Sequence, residues 1–397
     1  MHELRPLEPS ELPAAYDALE LAFGGTPVPE ERAIETSVID APRTLGAFDG
    51  QTPVATAGWF DHRMTLPGAV APVAGVTWVS VSPAHRRQGL LTALMRRQLD
   101  DLRAQARPIA ALWASEAAIY QRFGYGPASW RYGIDVRRGA GFTRPVQVAG
   151  LRLDEPGSAP LASVYDAVAP TVPGYVAREA RWWAFRLHDP EHRRQGASPL
   201  RCVLDGADGY ALYATKSIWS TAGSAGVVSV RELVARTPAA EARLWRYLLD
   251  IDLMGSVTAD VPLDSAVLHL LAEPRAAVGR LGDALWVRLV SVGEALETRR
   301  YAAEVDVVLD VTDALCPWNA GRWRLSAGPS GAVCAPTTDP ADLALDARDL
   351  GAAFLGGTSL TARYQAGWVT ELTKGALAAA TVAFGWPGPA PYCPMIF

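Results

Sequence analysis

The period of the apolar positions changes within residues 76–94, VTWVSVSPAHRRQGLLTAL. VTWVSVS alternates, which predicts a strand. Beyond Pro83, the residues Leu90, Leu91, Leu94 and Met95 recur at helical intervals, which predicts a helix with one apolar face. Arg86, Arg87, Gln88 and Gly89 occupy the turn between the two. The first peptide N–H groups of a helix have no partner within it and lie at the positive end of its dipole. Such a turn therefore suits an anion, a pyrophosphate among them, and Gly89 admits close backbone approach because it has no Cβ. A solvated helix cap explains the same residues equally simply.

The remaining pattern predicts an α+β layout. Residues 1–40 read as a starting strand, HELRPLEP, and helices, with Ser10 placed to cap the periodic run 11–23. TLGAFDG and TPVATAGWFDHRMTLPG read as a strand meander turning at Asp49-Gly50, and IAALWAS as a strand followed by a short helix from about Ser115. Ser115 and Glu116 are placed to cap that helix. Tyr120 falls one helical turn beyond a strand end, near Gly124 and Gly126. A phenol can return a proton to a departing thiolate, or Tyr120 and Phe123 can simply pack the helix onto the sheet.

After a glycine- and proline-marked connection, a second unit begins near Leu151. GVVSVRELVARTPAAEARLWRYLLDIDL aligns loosely with GVTWVSVSPAHRRQGLLTALMRRQLDDL. Its turn, residues 237–242, contains neither Gly nor Arg and adds the carboxylate of Glu241, so it should repel a pyrophosphate. HRRQG recurs at residues 192–196, but a Trp-rich helical run precedes it and a strand follows, so it does not open a helix. His188 and His192, with Asp189 and Glu191, have the spacing of metal ligands, yet Pro190 between them disfavours a shared helix face and no metal is expected. From Ala284 the pattern changes again. LWVRLVSVGEALETRRY is predicted helical, followed by strands and alanine-rich helices.

Composition narrows the class. A chain of 397 residues suggests roughly two to three domains. With 49% hydrophobic and 20% charged residues it is globular, and a net charge of −5 argues against nonspecific nucleic-acid binding while tolerating a cationic small molecule. Cys202, Cys316, Cys334 and Cys393 are scattered and read as incidental thiols. No basic leader and no apolar run of about 20 residues is seen, so a cytoplasmic protein without a membrane span is expected.

The turn at residues 86–92 resembles the acetyl-CoA loop of GNAT acetyltransferases, in which Arg or Gln, two residues, Gly, one residue and then Gly or Ala open a helix. Leu91 departs from that pattern. VSVSPAHRRQGLLTALM together with ALWASEAAIYQRFGYGPA resembles the paired signature of the Eis (enhanced intracellular survival) family, in which Leu at position 91 is usual. The resemblance implies two tandem GNAT (acyl-CoA N-acyltransferase) domains, the second degenerate, followed by a sterol-carrier-like α+β domain. On this chain they are expected at 1–145, 146–283 and 284–397.

It also implies direct acetyl transfer to an amine. Acetyl-CoA would be held by the backbone of Val79, Ser80 and Val81, by Arg86, Arg87, Gln88, Gly89, Leu90, Leu91 and Thr92, and by Ser115 and Glu116. Tyr120 would be the acid. The chain closes PGPAPYCPMIF, whose prolines lower the entropy cost of fixing it, and in this family a terminal aromatic residue brings its carboxylate to the active site, which would make Phe397 the base. Phe23, Phe60, Asp61 and Trp78 are candidate acceptor contacts. By resemblance the acceptor is a cationic, aminoglycoside-like amine and the assembly a homohexamer. A protein-lysine acetyltransferase and a non-catalytic lipid carrier are the rival readings.

Overall fold

The computed structural model describes residues 2–221 and 223–397. It divides into two compact units: one holds the chain up to Ser129 with Ala284–Gly388 and Met395–Phe397, the other Trp130–Asp283 with Pro389–Pro394.

In the first unit, β1 (Glu3–Pro6), β2 (Thr44–Asp49), β3 (Thr52–Leu66), β4 (Ala69–Val81), β5 (Ile109–Trp113) and β6 (Gly126–Pro127) belong to one sheet. Its order is β1-β2-β3-β4-β5, then the strand Leu285–Leu289, then β6. All neighbours are antiparallel except β4 and β5. The helices are α1 (Leu12–Ala22), α2 (Pro29–Val38), α3 (Leu90–Ala104) and α4 (Ala117–Gln121). Leu90, Leu94, Met95, Leu99 and Leu102 form the buried face of α3, each such side chain contributing about 1.5–3 kcal/mol. Gln98 on the same face donates to Gly58 O at 3.1 Å, which joins α3 to β3.

Two local expectations are corrected here. Ser10 does not cap the first helix: Glu8 and Glu11 form a capping box around Pro9–Glu11 instead, with Glu11 also drawn to Arg5 at 2.6 Å. LWVRL is a strand, not the start of a helix, because all five residues are buried between β5 and β6 and only Val292–Glu297 is helical. A short apolar run cannot be assigned from periodicity alone.

The second sheet repeats the first. Its order is Arg152–Asp154, Arg201–Asp205, Gly209–Lys216, Gly226–Ala235, Met254–Val261, β7 (Trp130–Arg137) and Ala277–Asp283. Its single parallel pair is again between the fourth and fifth strands. Each sheet thus takes its sixth strand from the other half of the sequence, β7 in one and Leu285–Leu289 in the other. The chain leaves the first sheet after β6, at 127–130 rather than at the expected 145, and leaves the second at the expected 283, but there it returns to the first sheet at Leu285 before entering the third region. Connection-like residues at 139–150 mark a loop, but hydrogen bonding between distant strands decides which sheet owns β7.

The third region forms a five-stranded sheet ordered Gly331–Pro336, Gly321–Gly328, Val305–Thr312, Leu343–Asp346 and Val369–Glu371. Arg299 is fully buried there and donates to Ala353 O at 3.2 Å and Phe384 O at 2.9 Å, the last residues of two helices. Carbonyls at helix C-termini satisfy the cation where no carboxylate does. Burial still lowers its pKa to about 10.

Candidate active site

β4 and β5 pair at Ala74–Ala110 and Gly75–Ala111, and the pairing ends there. Past that point β4 carries a bulge: Trp78 has φ of 49°, and two residues, Trp78 and Val79, face Ala57 alone. Thr56 Oγ1 fixes the bulge by donating to Trp78 O at 2.6 Å, and it shares a 3.0 Å hydrogen bond with Ser80 Oγ. A bulge increases local twist and bends the strand, so Val79, Ser80 and Val81 turn their backbone away from β5.

Residues 82–89 lead from β4 into α3. Pro83–His85 is one turn of 3-10 helix, Arg87 has φ of 64° and Gly89, the N-cap of α3, has φ of 84°. A Cβ on Gly89 would meet nothing within 4 Å. The glycine is therefore demanded by its left-handed backbone, and the space before it is open. The first bond of α3 runs from Ala93 N to Gly89 O, which leaves the N–H groups of Leu90, Leu91 and Thr92 without acceptors in the helix. Arg86 extends away and donates to Ala22 O at 2.8 Å, tying the turn to the end of α1.

These groups line one cavity of about 620 Å³. Val79, Ser80, Val81, Arg86, Arg87, Gly89, Leu90, Leu91, Thr92, Ser115, Glu116 and Tyr120 all border it, as does Phe23. Gln88 does not, and its amide oxygen lies 3.4 Å from His2 Nε2. Four residues that the sequence reading missed complete the wall: Ala22, His85 and the pair Ile119 and Arg122. That pair sits one residue before and two after Tyr120 on α4 and its C-terminal turn, a helical spacing that could have indicated it.

Tyr120 is 5% exposed, with its ring edge-on to Tyr125 at 6.0 Å. Burial raises its phenol pKa, the hydrogen bond with Ser115 opposes that, and the charge of Glu116 adds to it. The phenol is thus held protonated. Ser115 serves Tyr120 rather than the helix end, and Glu116 occupies the N-cap of α4 without a side-chain cap bond.

Phe60 and Trp78 are buried. Asp61 is part of an ion-pair cluster, accepting from Arg107 at 2.9 Å and Arg43 at 3.4 Å. Phe397 lies with its ring 4.9 Å from His62, and a Cβ on Gly75 would stand 3.0 Å from Phe397 Cε2. The terminal residue therefore rests on the last paired residue of β4, where the strands part. Trp113 at the end of β5 donates to Met395 O at 3.1 Å and anchors the approach.

Residues 3–128 match the acetyltransferase (GNAT) domain, residues 174–289 match a second acetyltransferase (GNAT) domain, and residues 292–394 match the sterol carrier protein domain. N-acetyltransferase Eis of Mycobacterium tuberculosis is 35% identical over 78% of this chain and 78% of its own. The chain belongs to the Eis family of N-acetyltransferases. An uncharacterized N-acetyltransferase of Streptomyces avermitilis is 46% identical, with 96% of each chain covered. The structure of Eis1 from Mycobacterium abscessus superposes with a TM-score of 0.86 at 32% identity, covering 100% of both chains. The chain carries two GNAT domains and a sterol-carrier domain, and GNAT acetyltransferases use acetyl-CoA. The positive-φ turn, the free helix N–H groups and the bent strand fit that co-substrate, because they supply donors for a pyrophosphate and an amide arm with no Cβ in the way. Among the described residues no group of His, Cys, Asp and Glu is arranged to hold a metal ion, and no helix is long and apolar enough to cross a membrane.

Proposed function

We propose that this chain transfers acetyl from acetyl-CoA directly to an amine of a cationic small molecule of the aminoglycoside type. The observation that carries the reading is the convergence of Tyr120 and the phosphate-competent turn on one cavity. Leu90, Leu91 and Thr92 N–H groups, with Arg87, hold the pyrophosphate, and the Val79–Val81 stretch of backbone receives the pantetheine amides and polarises the thioester carbonyl. Holding the amine beside the thioester removes about 7–11 kcal/mol from the barrier. Phe397 supplies the carboxylate that takes the ammonium proton, directly or through water, before attack. The amine nitrogen then forms the new C–N bond, the C–S bond breaks, Tyr120 protonates the departing thiolate, and the second proton shed by the nitrogen as it becomes an amide restores the phenol, while the Phe397 carboxyl releases its proton to solvent. Phe23, exposed at the cavity rim, offers an apolar face to the acceptor.

Thiol release from acetyl-CoA, measured with kanamycin, spermidine and a lysine peptide, tests this directly. Turnover is expected with kanamycin; turnover with the peptide alone would move the acceptor class to protein lysines, and none with any amine would end the enzyme reading. The homohexamer expected by resemblance belongs to the same proposal. Exposed Val278 and Leu281 on the edge strand Ala277–Asp283 supply apolar surface for contacts between copies, and light scattering reads the mass.

A further inference from the structure

The segment before Phe397 is held by the second GNAT half. Ala390 N donates to Asp264 Oδ2 at 2.8 Å, Tyr392 N donates to Pro173 O at 2.9 Å, and Tyr392 OH donates to Asp260 O at 2.9 Å. The Tyr392 ring packs against the cluster that contains Tyr165, Tyr175 and Tyr210, and Cys393 is buried.

Topology identifies the place where it docks. Gly226–Ala235 is the counterpart of β4 and Met254–Val261 that of β5. Their parallel pairing ends at Val230 and Ala259, just as β4 and β5 part after Gly75. Beyond it lies a cavity of about 330 Å³ bordered by Glu232, Ala259, Asp260, Val261, Pro389 and Tyr392. Opposite a register shift, Glu232 takes the position that Ser80 has in the first half. It receives Arg178 at 2.6 Å and 2.9 Å and Tyr210 OH at 2.6 Å. Only Arg236 and Thr237 link this strand to its helix, Pro238–Leu249, and Thr237 Oγ1 accepts from Ala240 N. The cleft has kept the parting strands and lost the phosphate turn.

We propose that the second GNAT half uses this vacated cofactor cleft as a dock for residues 389–394, and that Asp264 and Tyr392 are positioning residues for Phe397. The proposal rests on the reading of Phe397 as the base. Only Met395 and Ile396 separate the docked Pro394 from Phe397, so freedom at the dock passes to the carboxylate. An undocked terminus samples many conformations, and a displacement of about 1 Å at a reacting group can cost roughly 10²-fold in rate.

The full chain carrying Asp264→Ala with Tyr392→Phe removes two of the three polar contacts and keeps the ring in the core; Tyr392→Ala is the stronger second variant. With acetyl-CoA and kanamycin, kcat near neutral pH is expected to fall about 10- to 10²-fold while the KM for acetyl-CoA stays within about twofold. The deficit should shrink as pH rises through the range where the amine deprotonates unaided, because an unprotonated acceptor needs no base. Unchanged rates, or a deficit constant across pH, would overturn the proposal. A chain extended by a few residues beyond Phe397 separates the two ideas. If the extended chain is inactive and the docking variants are fully active, the dock is rejected and the base stands; a fully active extended chain removes the base and the positioning role together.

Discussion

Phe397 and His62 face each other across Gly75, their ring centroids 4.9 Å apart. A Cβ on Gly75 would stand 2.5 Å from His62 Cδ2 and 3.0 Å from the Phe397 ring. The glycine is the opening that admits both rings. Gly75→Ala should therefore push Phe397 aside and lower kcat about 10- to 10²-fold with little change in acetyl-CoA affinity. Steady-state kinetics varying each substrate separately reads the split, and an unaltered kcat would show that the ring position is irrelevant to turnover.

Tyr120→Phe keeps the packing against Tyr125 and removes the proton donor. Turnover should drop about 10²–10⁴-fold, the range for a positioned acid, while acetyl-CoA binding measured by calorimetry persists. Because burial raises the phenol pKa, the acid form is present throughout the neutral range and the wild-type rate should show no loss from phenol ionisation below the ordinary tyrosine value of about 10. Near-normal turnover in the variant would reject the role.

Gly89→Ala tests the turn. Its Cβ would meet no protein atom, but a left-handed backbone costs a non-glycine residue about 1–2 kcal/mol. A melting temperature lower by a few degrees and a weakened affinity for acetyl-CoA are expected together. A lowered melting temperature with unchanged affinity would mean that backbone approach at position 89 is not part of binding.

In the second GNAT half, burial opposes ionisation of Glu232, but the guanidiniums of Arg178 and Arg186 outweigh it and bring its pKa to about 2 from the usual 4.5. A depressed carboxyl pKa adds stability above the unfolded value, and that stability is lost as pH falls from about 4.5 towards 2. Urea unfolding across that window should show the loss. Glu232→Gln should flatten this part of the pH dependence and destabilise the fold by about 3–5 kcal/mol, since Arg178 is left buried without its counter-charge. A variant as stable as the wild type would show that the pair contributes nothing net.

Much of the first GNAT half was legible because its determinants are local. Alternation in VTWVSVS, the apolar face from Leu90 to Leu102 and the single glycine of the turn act over a few residues, and β4, α3 and the left-handed Gly89 follow from them. The repeated HRRQG was also separable by local context: residues 191–193 form only a 3-10 turn, and Arg194 closes on Asp189 at 2.9 Å. What tertiary structure alone decided concerns partners distant in the chain. The reciprocal placement of β7 and Leu285–Leu289 depends on hydrogen bonds between strands far apart in sequence, which the local pattern around residues 130 and 285 does not report. The pairing of Asp61 with Arg107 and the contact of Gly75 with Phe397 likewise join residues that the sequence keeps apart. Sequence by itself determined where a phosphate-competent turn could form; the tertiary structure decided which strands close the sheet around it, and which cleft receives the end of the chain, because both outcomes are set by edges and charges that meet only in the folded protein.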